Sequence, residues 1–170
     1  MKIVVYIIGG KMKSEKEFTH FDEAGKAIMV DVGDKEITKR VAIARGSIEV
    51  GPEVLSKIKE SSVEKGDVLG VARIAGIMAV KQTSSLIPMC HPLLISKAKL
   101  DFEINEKESK IDAICQVQIE GKTGVEMEAL TGVSIALLTI YDMCKAIDKA
   151  MAITDVHLVE KKGGKSGDFI

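Results

Sequence analysis

Ala98-Lys99-Leu100-Asp101-Phe102-Glu103-Ile104 and Ile111-Asp112-Ala113-Ile114-Cys115-Gln116-Val117-Gln118-Ile119, joined by the polar residues 105–110, decide how this chain folds. In the first run Ala98, Leu100, Phe102 and Ile104 alternate with charged residues; in the second, Ile111, Ala113, Cys115, Val117 and Ile119 hold every other position. Side chains of a strand point alternately to opposite faces, so each run predicts a strand with one buried and one wet face. That is the habit of an antiparallel sheet, and the short polar link predicts a hairpin.

The rest of the chain supplies partners for that hairpin. Upstream, residues 37–50 are rich in β-branched side chains and predict one or two strands. Gly51-Pro52 interrupts them, and Pro52 suits the first position of a short helix reaching about Lys59. Asp67 is a natural cap for a second helix, with Leu69, Ala72, Ala75, Ile77 and Met78 near helical spacing. Pro88 and Pro92 hold residues 86–94 out of a helix. Downstream, residues 123–150 predict a long helix and Val156-His157-Leu158-Val159 a closing strand. Residues 3–8 read as a short opening strand within an N-terminal extension, residues 1–13. With no repeat and no linker, residues 1–170 form one α+β domain, its helices packed on an antiparallel sheet.

The long helix implies more than its own existence. Leu130, Val133, Leu137, Ile140, Cys144 and Ile147 make one apolar stripe, while Ile135 and Leu138 fall well away from it. A helix apolar on two sides needs two packing partners, and in a small single-sheet domain the second is another copy of the chain. Asp142 and Lys145, one turn apart on the far side, would then stand near a subunit boundary.

Composition excludes several classes. The 170 residues carry 24 basic and 25 acidic side chains, so no global charge favours nucleic acid. Aromatics are 4% of the chain, too few for a base-stacking RNA-binding surface. Three cysteines without paired close spacing argue against a disulfide framework and for the cytoplasm. No apolar run is long enough to suggest a membrane span.

Three segments can carry chemistry. Leu86-Ile87-Pro88-Met89-Cys90-His91-Pro92-Leu93 presents a thiol and an imidazole side by side on an extended stretch stiffened by proline. A preorganised binding segment and a stiff buried connection explain it equally well, and the pair lacks the spacing of a zinc motif. Gly121-Lys122-Thr123-Gly124-Val125-Glu126-Met127-Glu128 has the Gly-Lys-Thr of a phosphate-binding loop, but Gln116 stands where that loop needs its first glycine. What remains is Lys122 and backbone N–H groups at a helix start, suited to an anion, with Glu126 and Glu128 just inside. Those glutamates also complement the helix dipole, an explanation that needs no ligand. In Asp142-Met143-Cys144-Lys145, a carboxylate and an ammonium group one turn apart are either a surface pair or, buried at an interface, an acid/base couple. Leu138, Met143 and Ala146 around them favour the couple. Lys65 stands just before a helix start.

Together these segments resemble the cyclic pyranopterin monophosphate synthase (MoaC) family of molybdenum-cofactor biosynthesis. The resemblance runs from Phe18-Thr19-His20-Phe21 and Met29-Val30-Asp31-Val32 through Lys65-Gly66-Asp67, Ala72-Arg73-Ile74-Ala75-Gly76-Ile77 and residues 86–93. It continues through residues 121–131, Leu138-Thr139-Ile140-Tyr141-Asp142-Met143-Cys144-Lys145-Ala146 and Gly163-Gly164-Lys165-Ser166-Gly167-Asp168-Phe169, and only residues 1–13 depart from the pattern. It implies a ferredoxin-like sheet with helices on one face, assembled as a hexamer, a trimer of dimers with active sites at the dimer interface. It implies a lyase that converts 3′,8-cyclo-7,8-dihydro-GTP into cyclic pyranopterin monophosphate and pyrophosphate. Carried over by motif, Asp142 is the active-site carboxylate, Lys65 and Lys145 serve the acid/base steps, and Met89-Cys90-His91 with Met127-Glu128 bind substrate. Lys122, Lys165 and Arg73 are expected to meet the phosphates, with Glu126 at the same helix start. No resident cofactor or metal ligand is implied; a Mg²⁺ ion carried by the triphosphate is compatible with the chemistry. From the residues alone, an oligomeric protein that stores or senses a nucleotide or pterin is the runner-up.

Overall fold

The computed structural model describes residues 20, 22, 24–60, 66–164 and 167–170; the expected opening strand, Lys65 and Lys165 lie outside them. The elements are β1 (Thr38–Glu49), α1 (Gly51–Lys59), α2 (Val68–Leu86), β2 (Lys97–Asn105), β3 (Lys110–Gly121), α3 (Glu126–Cys144) and β4 (Ala152–Lys162). β2 and β3 form the expected hairpin, Leu100 facing Cys115. β1 pairs antiparallel with β3 on one side and β4 on the other, so the sheet order is β2-β3-β1-β4. This strand-helix-helix-strand-strand-helix-strand chain with that sheet order is a ferredoxin-like α+β fold, α1 being an extra short helix before α2.

The helices lie on one face. Ala42, Ala44 and Ile48 of β1 are fully buried, as are Ile111, Ala113, Cys115 and Val117 of β3. Gly46 shows what they meet: a Cβ there would lie 2.8 Å from Val133 and 2.9 Å from Leu137 of α3. The expected stripe of α3 is the core stripe, since Val133, Leu137, Ile140 and Cys144 have no exposed surface. On the opposite face Arg45 holds Asp112 at 2.8 Å and Glu103 at 3.0 Å, and the Ser47 hydroxyl donates to Asp112.

Three expectations need correction. α3 is shorter than residues 123–150 at both ends. Residues 122–125 belong to the loop leaving β3, and after Cys144 the chain tightens, Ile147 N–H donating to the Cys144 carbonyl at 2.9 Å. In α2 the buried face is Val68, Ala72, Gly76, Ala79, Val80 and Thr83, and Met78 points to solvent. α3, contrary to the expectation of no membrane-length segment, does have the length and apolarity of a span by composition. Much of its apolar surface packs within the fold, on the sheet along one side and on α2 along the other, with Leu138 left exposed. Asp67 caps α2 as expected, accepting from Gly70 N–H at 2.8 Å.

α2 and α3 cross at glycines. A Cβ on Gly76 would lie 2.8 Å from the Gly132 carbonyl oxygen and 2.4 Å from Leu100; one on Gly132 would lie 2.8 Å from the Cys115 sulfur. The backbones therefore touch, and the sheet positions beneath can stay fully packed. Gly76→Val should cost about 3 kcal/mol, because overpacking against backbone outweighs the small gain in helix propensity. A urea midpoint lowered at unchanged slope is the expected reading, and an unchanged midpoint would rule out this close crossing.

Candidate functional site

At one end of the sheet, the start of β1, the loop after β3 and the end of β4 enclose a cavity of about 670 Å³. Its walls carry five cations, Lys35, Arg40, Lys122, Lys161 and Lys162, against three carboxylates, Asp34, Glu36 and Glu126. The register brings them together, since Val41 faces Lys162 and Ala42 faces Lys161 on one side, while Arg40 pairs with Ile119 on the other. α3 begins beside the cavity, and its N-cap, Val125, offers no side-chain hydrogen bond. The Glu128 carboxylate takes its own backbone N–H, and the N–H groups of Glu126 and Met127 have no cap from Val125.

Each cation is held differently. Arg40 is buried, its guanidinium reaching the carbonyls of Gly121 and Lys122 at 3.4 Å each. Gly164 packs against that guanidinium so closely that a Cβ would overlap it. Lys122 donates to the Gly33 carbonyl, and Lys161 lies 3.4 Å from Glu126. Glu126 folds back over Gly124, where a Cβ would collide with its carboxylate. Such a cluster of positive charge can offset the charge of a multiply charged anion that exchanges with these partners.

Glu128, one turn into α3, is buried with 4% exposure. Burial, and then the neighbouring charge of Glu126, raises its carboxyl above the usual range. Cys90 is partly buried; burial first and then the charge of Glu128 push its thiol up. The structure therefore brings the expected Met89-Cys90-His91 segment within electrostatic reach of Met127-Glu128. Met89, Cys90 and His91 are all partly shielded, while Met127 is exposed. A buried carboxylate of this kind can accept from paired N–H donors of a heterocyclic base.

Asp142 and Lys145 stand apart from these groups. Lys145 Nζ lies 2.6 Å from Asp142 Oδ1, both exposed at the C-terminal end of α3. Within one chain the pair is on the surface, and Lys145 is held above its ordinary value by the Asp142 hydrogen bond and then its charge. At 1.5 Å per residue, Asp142 lies about 21 Å along the helix axis from Glu128. Leu138, one turn before Asp142, is 52% exposed. Arg73 also stands apart: its Nε donates to the Leu100 carbonyl at 3.0 Å and its guanidinium lies 5.6 Å from the Phe102 ring centre.

Arg40, Lys35, Lys161 and Lys162 were not anticipated from the sequence. Their only local signal is Lys161-Lys162 followed by two glycines, which says nothing about β1 until the register is known. Among the described residues, no group of three or more His, Cys, Asp or Glu side chains is placed to hold a metal ion.

A ferredoxin-like domain whose sheet end offers fixed cations and an uncapped helix start defines a class of α+β proteins suited to a polyanionic small molecule. Residues 29–164 match the model of the MoaC family, and the chain belongs to that family. It is 59% identical over 156 residues to the cyclic pyranopterin monophosphate synthase of Clostridium botulinum, covering 92% of this chain and 98% of that one. It is 62% identical over 155 residues to the synthase of the same name from Desulfitobacterium hafniense, covering 91% and 94%. The Clostridium perfringens synthase is 57% identical over 155 residues, covering 91% and 98%.

Proposed function

We propose that this protein is a cyclic pyranopterin monophosphate synthase of molybdenum-cofactor biosynthesis, a lyase acting on 3′,8-cyclo-7,8-dihydro-GTP. The observation that carries this reading is identity of 57% to 62% to proteins of that name across about nine-tenths of the chain. The cavity gives the reading its chemistry. Arg40, Lys122 and Lys161 receive the triphosphate, while Glu128 accepts N–H groups of the base and Met89, Cys90, His91 and Met127 line its approach. A substrate hydroxyl attacks the α-phosphorus as its proton passes to the leaving phosphate oxygen, the bond to the bridging oxygen of the β-phosphate breaks, and protonated pyrophosphate leaves with its remaining charge met by the cationic wall. Remaking the purine-derived ring as a pterin moves protons, the work of Asp142 and Lys145, with Lys65 as a further acid/base group.

Those two sets of groups are too far apart in one chain to touch one such substrate. The active site is therefore shared between two copies, the start of α3 from one and the end of α3 from its partner. The exposed Leu138 beside Asp142 suits such a boundary. A trimer of such dimers makes the hexamer. The phosphate set is Lys122 with Arg40 and Lys161; Lys165 joins it from the glycine-rich tail, and Arg73 serves only where a partner's cavity approaches β2. No resident cofactor takes part, and any Mg²⁺ enters on the triphosphate. The cysteines form no disulfide, which suits the cytoplasm.

The decisive experiment gives the purified protein cyclised GTP and measures pyrophosphate together with the pterin, read as its fluorescent oxidised form. One pyrophosphate per pterin is the expected stoichiometry. Tight binding without pyrophosphate would leave a nucleotide-holding protein instead.

A further inference from the structure

The chain does not stop where β4 leaves the cavity. Beyond Lys162 it returns: Lys161 N–H donates to the Phe169 carbonyl at 2.9 Å and Phe169 N–H to the Lys161 carbonyl at 3.0 Å. Inside that bridge, Gly163 N–H donates to Asp168 Oδ1 at 3.0 Å. Gly163 and Gly164 both have positive φ, 89° and 92°. Their conformation sets them where side chains cannot go, Gly163 against the Lys39 carbonyl and Gly164 against the Arg40 guanidinium. Gly163 and Gly164 thus complete the wall that carries Arg40, Lys161 and Lys162.

We infer that Asp168 is a positioning residue for the anion cavity: by accepting from Gly163 N–H beside the backbone bridge of Lys161 and Phe169, it holds Gly164 against the Arg40 guanidinium. This rests on the reading of the cavity as the triphosphate subsite. Asp168 itself never meets the reacting atoms. Its carboxylate acts through the backbone, and the acceptor oxygen matters more than the charge. Lys162 is held above its ordinary value chiefly by Glu160, with Asp168 a minor contributor, so loss of the Asp168 charge alone changes little there.

The test measures KM and kcat for cyclised GTP and the inhibition constant of inorganic pyrophosphate, in Asp168→Ala, Asp168→Asn, Arg40→Gln and Lys122→Ala proteins. Asp168→Ala should raise KM and the pyrophosphate constant together by about five- to tenfold, the effect of one lost hydrogen bond that organises charge, with kcat within about twofold. Asp168→Asn keeps an acceptor oxygen in place and should restore both constants to within about twofold of the unmodified protein. Unchanged constants in Asp168→Ala, a collapse of kcat, or no rescue by asparagine would each overturn the inference. If Arg40→Gln and Lys122→Ala leave the pyrophosphate constant untouched, the triphosphate reading itself falls; if they raise it while Asp168→Ala does not, only the role of Asp168 falls.

Discussion

Asp142→Ala lowers kcat by about 10²- to 10⁴-fold, the range for removing a positioned proton-transfer group, and leaves the unfolding midpoint nearly where it was. The two halves of that expectation come from the same facts. Asp142 contributes nothing to the core: its side chain is 60% exposed, and its bond to Lys145 is a surface pair. Surface pairs add little to stability, so the folded protein survives the change. Yet a carboxylate held 2.6 Å from an ammonium group is a proton acceptor next to a donor, and in the proposed site this is the couple that substrate meets. Lys145→Ala should behave alike, and Asp142→Asn, which keeps the shape and removes the charge, should be nearly as slow. Activity within a few-fold of the unmodified protein in both alanine variants would remove the couple from the mechanism, whatever the fate of the cavity.

The second expectation concerns how the site is assembled. Glu128→Gln keeps the volume of a buried side chain but turns an acceptor into a partial donor facing the N–H groups of the base, so it too should be nearly inactive. Mixed in equal amounts after dissociation and reassembly with Asp142→Ala, it should regain roughly a quarter of full activity. In a two-fold dimer each mixed pair has one site with both defects and one with neither, and half of randomly formed pairs are mixed. The separation of about 21 Å along α3 is the ground for expecting this arrangement. If the mixture stays as inactive as its parents while sedimentation shows mixed assemblies, the complete site lies within one chain, and the helix-end couple does something other than transfer the substrate's protons.

Much of this was legible before any coordinates. The hairpin of β2 and β3, the Asp67 cap, the Pro52 helix start and the core stripe of α3 follow from spacing that a strand or a helix reads locally. The two-sidedness of α3 was legible as well, but its cause was divided. One of its faces meets α2 at Gly76 and Gly132, while Leu138 stays exposed. The ends of α3 were misread because apolar spacing continues past the point where the backbone turns; Tyr141 and Lys149 are already joined, side-chain hydroxyl to carbonyl, at 3.1 Å.

For the site, the sequence by itself determined which residue types were present at a helix start, at a helix end and on a proline-stiffened segment. Those are local patterns, and each side chain's face follows from a fixed period of 3.6 or 2. Only the tertiary structure decided which of them meet. Arg40 lies near the start of β1, Lys122 just after β3 and Lys161 near the end of β4, and they share a cavity only because β1 pairs with β3 on one side and with β4 on the other. Glu128 and Asp142, by contrast, belong to one helix and are kept apart by its length. Register is set by the packing of a whole sheet face, a property no stretch of sequence carries alone, whereas helix rise is fixed by the backbone and separates two ends of the same segment whatever the residues between them.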